Sequence, residues 1–275
     1  MVVEEYGLTQ RPDDVAAGNN WHDKLVLIIN ADDFGRSIVE TNAALQCYIA
    51  GRITSVSAMV FMVDSERAAE LATANGLEVG LHLNFSEPFT DGSCPERLRA
   101  CHNRIGRYLR RNKYAQILYN PSLRSEFAYS YSAQADEFLR LLGRDPSHID
   151  GHHHMHLCAN LLLSNLIPAG IRIRRNFSFW PGEKNWFNRA YRSLVDSWLA
   201  RRYRLTNYFF DLTQSIREKK IDRVMALAES SKVELMTHPI LELESEYLMS
   251  DQFQTMLRRL DVGGDALVSH FPSDL

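Results

Sequence analysis

Cysteine is scarce: Cys47, Cys94, Cys101 and Cys158 are the four in 275 residues, and they form no CxxC pair and no dense framework. That excludes a disulfide scaffold and leaves reduced thiols in a cytoplasmic protein as the expectation. Long apolar runs are missing as well. No stretch approaches the roughly 18–20 residues of a membrane span, so no transmembrane segment is expected. Cationic excess is also absent, because 31 Lys and Arg face 34 Asp and Glu, a net charge of −3. This balance argues against a nucleic-acid partner. Met1-Val2-Val3-Glu4-Glu5 has neither the basic nor the apolar region of a secretory signal. With 45% hydrophobic and 24% charged residues, wholly disordered, collagen-like and coiled-coil chains are excluded too.

What is present alternates. Residues 1–23, broken by Pro12, Asp13-Asp14 and Gly18-Asn19-Asn20, are expected to be a mobile tail, and residues 24–275 a single domain. Leu25-Val26-Leu27-Ile28-Ile29 has the pattern of a strand buried on both faces. A helix follows from about Ser37 to Ala50, with Ser37 and Glu40 spaced as a capping box. Strands are predicted at Thr54–Val63, Glu78–Leu83, Ser147–Asp150, Ile171–Arg174, Val233–Met236 and Ala266–Ser269. Helices are predicted at Ser65–Ala74, Ala133–Leu142, Leu157–Ile167, Ile216–Ser230 and Asp251–Leu260. Residues 86–132 read as an insert, and the aromatic, arginine-rich residues 177–210 resist assignment. Strands alternating with helices imply an α/β fold with a mainly parallel sheet.

Polar clusters recur just after strands: Asp32-Asp33, His82, His148 to His156, and Thr237-His238-Pro239. The C-terminal ends of parallel strands share one edge, so these distant residues are expected to converge. Neighbouring strand residues point to opposite faces. Asp32 and Asp33 can therefore serve one site only where the strand has ended, and Gly35 permits the bend. Their alternative role is to complement a helix dipole. Four histidines lie within residues 152–156. If extended, His152, His154 and His156 share a side and His153 faces away; if helical, His152 and His156 form an i, i+4 pair. A surface metal-scavenging tract is the blander reading. His82 alone would pass for a core histidine. One Asp with two His suits a divalent ion without selecting it, and a second Asp beside it could act as base.

Asn30-Ala31-Asp32-Asp33-Phe34-Gly35, Gly80-Leu81-His82-Leu83, His148-Ile149-Asp150-Gly151-His152-His153-His154-Met155-His156 and Met236-Thr237-His238-Pro239 resemble, in order, the motifs of the YdjC-like carbohydrate deacetylases, from about residue 25 to Phe271. The resemblance implies a single-domain distorted (β/α) barrel that removes an N-acetyl group from an acetamido sugar or oligosaccharide. It implies one divalent ion, magnesium or zinc for preference, on Asp33, His82 and His152. Asp32 would be the base and His238 the acid or transition-state stabiliser. His154 and His156 would belong to the site wall or stand behind the ligands, and Asp150 could hold a ligand histidine from behind. Arg36 and Gly151 depart from the family pattern, which more often has a leucine-like residue and a serine there. An amino-sugar substrate is the expected partner, and a homodimer is compatible. The rival functions are a metal-dependent glycosidase or phosphate-ester hydrolase, and a non-catalytic metal- or sugar-binding protein.

Two features stand outside this scheme. The arginines and lysine of residues 97–113 read as a solvated helix face, with contact to an anionic substrate or a membrane surface as the alternative. Phe177, Phe179, Trp180, Trp186, Phe187, Tyr191 and Trp198 read as core or subunit interface, with stacking on sugar rings as the functional option.

Overall fold

Seven short segments rich in apolar residues form the strands of one sheet: β1 (Leu27–Phe34), β2 (Ser55–Ala58), β3 (Val79–Leu83), β4 (His148–Gly151), β5 (Arg172–Ile173), β6 (Tyr208–Asp211) and β7 (Val233–Thr237). The computed structural model describes residues 27–262 apart from Lys113 and Pro181. The expected tail, the start of the first strand and the strand expected at Ala266–Ser269 lie outside the described residues. Every residue of β1, β2, β3, β4, β5 and β7 is buried, as in a parallel sheet covered on both faces.

The strand order is β5-β4-β3-β2-β1-β7-β6, and every pairing is parallel. The sheet curls until its edges meet. The Ile173 N–H donates to the Arg204 carbonyl at 3.0 Å, and the Ser178 N–H to the Phe209 carbonyl at 2.8 Å. This stitching satisfies edge groups that an open sheet would leave bare. The result is the distorted barrel of a single α/β domain.

Helices α1 (Ile38–Ile49), α2 (Ser65–Ala74), α3 (Glu96–Leu109), α4 (Arg124–Leu142) and α5 (Ala159–Leu163) precede the aromatic region. They are followed by α6 (Trp186–Leu199), α7 (Leu212–Arg217), α8 (Ile221–Ala228), α9 (Glu242–Met249) and α10 (Asp251–Val262). Ser37 caps α1, its hydroxyl accepting from the Val39 N–H at 3.2 Å. Glu40 takes the Ser37 hydroxyl instead of the backbone N–H that a capping box would use. Among the described helices, none is long and apolar enough to cross a membrane.

Several boundaries depart from the sequence reading. The strand expected to reach Val63 stops at Ala58. Helix α4 starts nine residues earlier than expected, because Phe127, Tyr131, Gln134 and Phe138 bury one stripe. The helix expected over Leu157–Ile167 shrinks to α5, since residues 152–157 form tight turns and Asn165 adopts φ +51°. The helix expected over Ile216–Ser230 is two, α7 and α8, broken near Lys219 at φ +55°.

Candidate active site

The C-terminal ends of β1, β3, β4 and β7 open onto a pocket of about 520 Å³. Its walls include Asp32, Asp33, Arg36, His82, Glu87, His152, His153, His154 and His238. The five residues singled out from sequence thus share one cavity.

Asp33 reaches it by a local device. Its φ is +63°, a left-handed conformation that costs a non-glycine residue energy, and the β1–β2 register shifts between Ala31 and Phe34. The turn therefore lies within β1, at Asp33 itself, and not beyond the strand end as the sequence suggested. It frees Asp33 from the strand's alternation, so both carboxylates line the pocket.

Asp33, His82 and His152 offer ligand atoms that all lie within 4.8 Å of one another. Asp33 Oδ1 is 3.2 Å from His82 Nε2 and accepts from His152 Nδ1 at 2.8 Å. Behind each imidazole stands another carboxylate. His82 Nδ1 donates to Asp150 Oδ1 at 2.8 Å, and His152 Nε2 lies 3.0 Å from Glu87 Oε2. Carboxylates in this position fix the tautomer and raise the basicity of a metal-binding imidazole. Burial opposes charge on His82, but Asp150, Asp32 and the hydrogen bonds prevail and lift it to about 10. Burial likewise opposes charge on Asp33, yet hydrogen bonds from His152 and His82 hold it far below the usual carboxylate range. A carboxylate held ionised between two imidazoles suits a divalent cation.

Two other groups fit a cation less well. Asp32, His82 and Asp150 also converge, but Arg174 is already bound to both carboxylates. In the third, Asp211, His238 and Glu244, the Glu244 carboxylate accepts from the Thr213 and Thr237 hydroxyls and the His238 N–H.

Arg174 is the main residue that sequence reasoning missed. Its side chain is fully buried. Nη1 and Nη2 bind Asp32 Oδ2 and Oδ1 at 2.6 and 2.7 Å, Nη2 reaches Asp150 Oδ2 at 2.7 Å, and Nε reaches Glu234 at 2.6 Å. Burial pushes the Glu234 carboxyl up, against the pull of Arg174 and Arg172. The available signal was Arg172 and Arg174 at alternate positions among isoleucines, which places two cations on one face of a strand.

Ser57 also went unnoticed. It donates to Asp150 Oδ2 at 2.8 Å, accepts from Asn30 Nδ2 at 2.7 Å, and contacts His148 Nε2 at 2.9 Å. Arg172 donates to His148 Nδ1 at 2.8 Å, so the network makes Nε2 the protonated nitrogen.

The histidine run is neither extended nor α-helical. His153 and His154 adopt φ +52° and +57°, and residues 152–157 form tight 3₁₀ turns. His152 and His156 are buried while His153 is exposed, with Nδ1 3.0 Å from the Ser86 hydroxyl. His154 packs against Phe177 and Phe209, and burial holds it well below the ordinary imidazole value. His156 contacts the Arg174 carbonyl through Nε2 at 3.0 Å. His154 lines the pocket, whereas His156 is fully buried and is not among its lining residues.

The curled parallel sheet thus sets one carboxylate and two imidazoles at its strand ends, a donor set that could hold a divalent ion. The chain belongs to the YdjC-like protein family, whose model matches residues 26–259. It is 34% identical over 136 residues to the mouse (Mus musculus) carbohydrate deacetylase, covering 48% of this chain and 43% of that protein. It is 33% identical over 133 residues to the chitooligosaccharide deacetylase of Serratia marcescens, covering 48% of this chain and 51% of that protein. The chain thus spans about half the length of these curated relatives. A solved structure from Enterococcus faecalis, described as a candidate cellobiose-phosphate cleavage protein, shares the fold at TM-score 0.60 and 21% identity, over 86% of this chain and 95% of that one.

Proposed function

We propose that this chain hydrolyses the N-acetyl amide of an acetamido sugar or oligosaccharide, with one divalent ion, magnesium or zinc. Its relatives' names supply the substrate class. The observation that carries the chemistry is the pairing at one pocket of the Asp33–His82–His152 donor set with a second, differently held carboxylate, Asp32.

Asp33, His82 through Nε2 and His152 through Nδ1 would hold the ion. When bound, such an ion polarises the amide carbonyl and acidifies water. The chain's own residues do the rest. Oδ1 of Asp32 accepts from both Arg174 and Asn30, whereas Oδ2 takes only Arg174. Each carboxylate oxygen has two acceptor sites. Oδ2 therefore keeps room for the proton released by the attacking water, and Arg174 aims it. His238 follows β7 across the same pocket and is assigned the proton delivered to the leaving amine. Glu244 fixes its backbone.

The test is acetate release from N-acetylglucosamine oligomers, followed by mass spectrometry for loss of one acetyl group. EDTA should abolish it and added magnesium or zinc restore it. Glycosidic or phosphate-ester cleavage without acetate would refute this reading.

A further inference from the structure

Helix α6 carries large apolar side chains outward. Trp186 is 68% exposed, Phe187 66%, Tyr191 46% and Leu194 70%. Trp186 and Phe187 stack on each other instead of on the core. The face continues onto α5, where Leu163 is 59% exposed. A groove of about 420 Å³ runs between the two helices, lined by Leu162, Leu163, Tyr191, Leu194 and Trp198. So large an apolar face marks an interaction surface.

Its charge identifies the occupant. Lys184, Arg189 and Arg201 are exposed around it, and Arg192 and Arg202 half-buried. The acids of the same stretch are engaged elsewhere, Glu183 by Lys220 and Asp196 by Arg175. The outward charge is thus of one sign, although the whole chain is net negative. A two-fold dimer through this face would set the patch against its own copy, arginine against arginine. An anionic bilayer meets both features, because aromatic and leucine side chains enter the acyl boundary while arginines meet lipid phosphates.

We propose that the α5–α6 face docks this protein onto a membrane surface containing anionic lipid, with α6 lying in the interface. The full chain would be sedimented with vesicles of phosphatidylcholine alone and of phosphatidylcholine mixed with phosphatidylglycerol. Binding to the mixed vesicles should be stronger by at least about tenfold. A Trp186→Ser, Phe187→Ser, Leu194→Ser variant changes only exposed positions and should lose that binding. Arg189→Gln with Arg201→Gln should abolish the preference for anionic lipid while keeping the apolar face. Equal sedimentation with both vesicles, or undiminished binding of the triple variant, overturns the proposal. So does a dimer, seen by light scattering, that the triple variant dissolves, since the face would then cover a second copy.

Discussion

Asp32 and Asp33 are chemically identical and adjacent, yet their partners separate their roles. Asp33 faces two imidazoles, whereas Asp32 is clasped by a guanidinium. Replacing Asp33, His82 or His152 by Ala should abolish stoichiometric metal binding, measured by elemental analysis of the dialysed protein. His153→Ala should retain the metal, because its ring, although it lines the pocket and packs on His152, is not one of the three proposed donors. Equal loss from His153→Ala would assign the donor set wrongly. Asp32→Asn should keep the metal and lower kcat by at least about a hundredfold, since the amide cannot take the proton. An Asp32→Asn chain that loses its metal but turns over normally per bound ion would make Asp32 a ligand. Arg174→Met tests the clasp. It leaves the facing carboxylates without their cation and should cost about 3–5 kcal/mol of stability in urea unfolding.

At the scale of elements, the sequence revealed strands whose burial is complete and motifs that end them. Leu27 to Ile29 and Val233 to Met236 are apolar enough to announce a parallel sheet, and the polar residues beyond mark its C-terminal edge. The convergence of the proposed ligand residues on one pocket was legible for that reason. Strand β6 was not, because Tyr208-Phe209-Phe210 sits among other aromatics whose burial depends on edges meeting across the barrel. Arg174 was equally hidden, since its partners come from β1, β4 and β7. Asp and His are only somewhat enriched at positive φ, too weak a signal to place Asp33, His153 and His154 there, and these angles made both regular readings of the histidine run wrong. Gly80 shows a constraint of the same kind. A Cβ there would lie 2.3 Å from His148 Nε2, and that ring is held by Ser57 and Arg172. Gly80→Ala should therefore destabilise the chain by about 1–3 kcal/mol, seen as a lower urea midpoint at unchanged m-value. An unchanged midpoint would mean that the His148 ring yields freely.

For the whole molecule, the buried histidines set the response to acid. Burial pushes His102 and His156 down to about 4 and holds His148 and His154 well below the ordinary value, with nearby arginines adding to the effect. In the unfolded chain each titrates near about 6.5. Their folded values are lower, so the unfolded state binds more protons between about pH 6.5 and 4, and stability falls as pH falls through that window. His82 is shifted the other way. Its contribution is complete below about 6.5 and is lost as pH rises toward about 10, so it gives no added protection on acidification. Asp33, held far below the carboxylate range, loses its contribution only below about pH 4. Acid also competes with any bound cation, which would stabilise the fold by mass action. Measuring urea midpoints in EDTA isolates the histidine effect. Each proton taken up only by the unfolded chain lowers stability by about 1.4 kcal/mol per pH unit. His102→Gln can keep the donor to the Glu87 carbonyl, which the imidazole contacts at 2.7 Å, while removing the titration. It should make the fall between about pH 6.5 and 4 visibly shallower than in the parent chain. Parallel curves for the two proteins would show that His102 is not excluded from protonation in the fold.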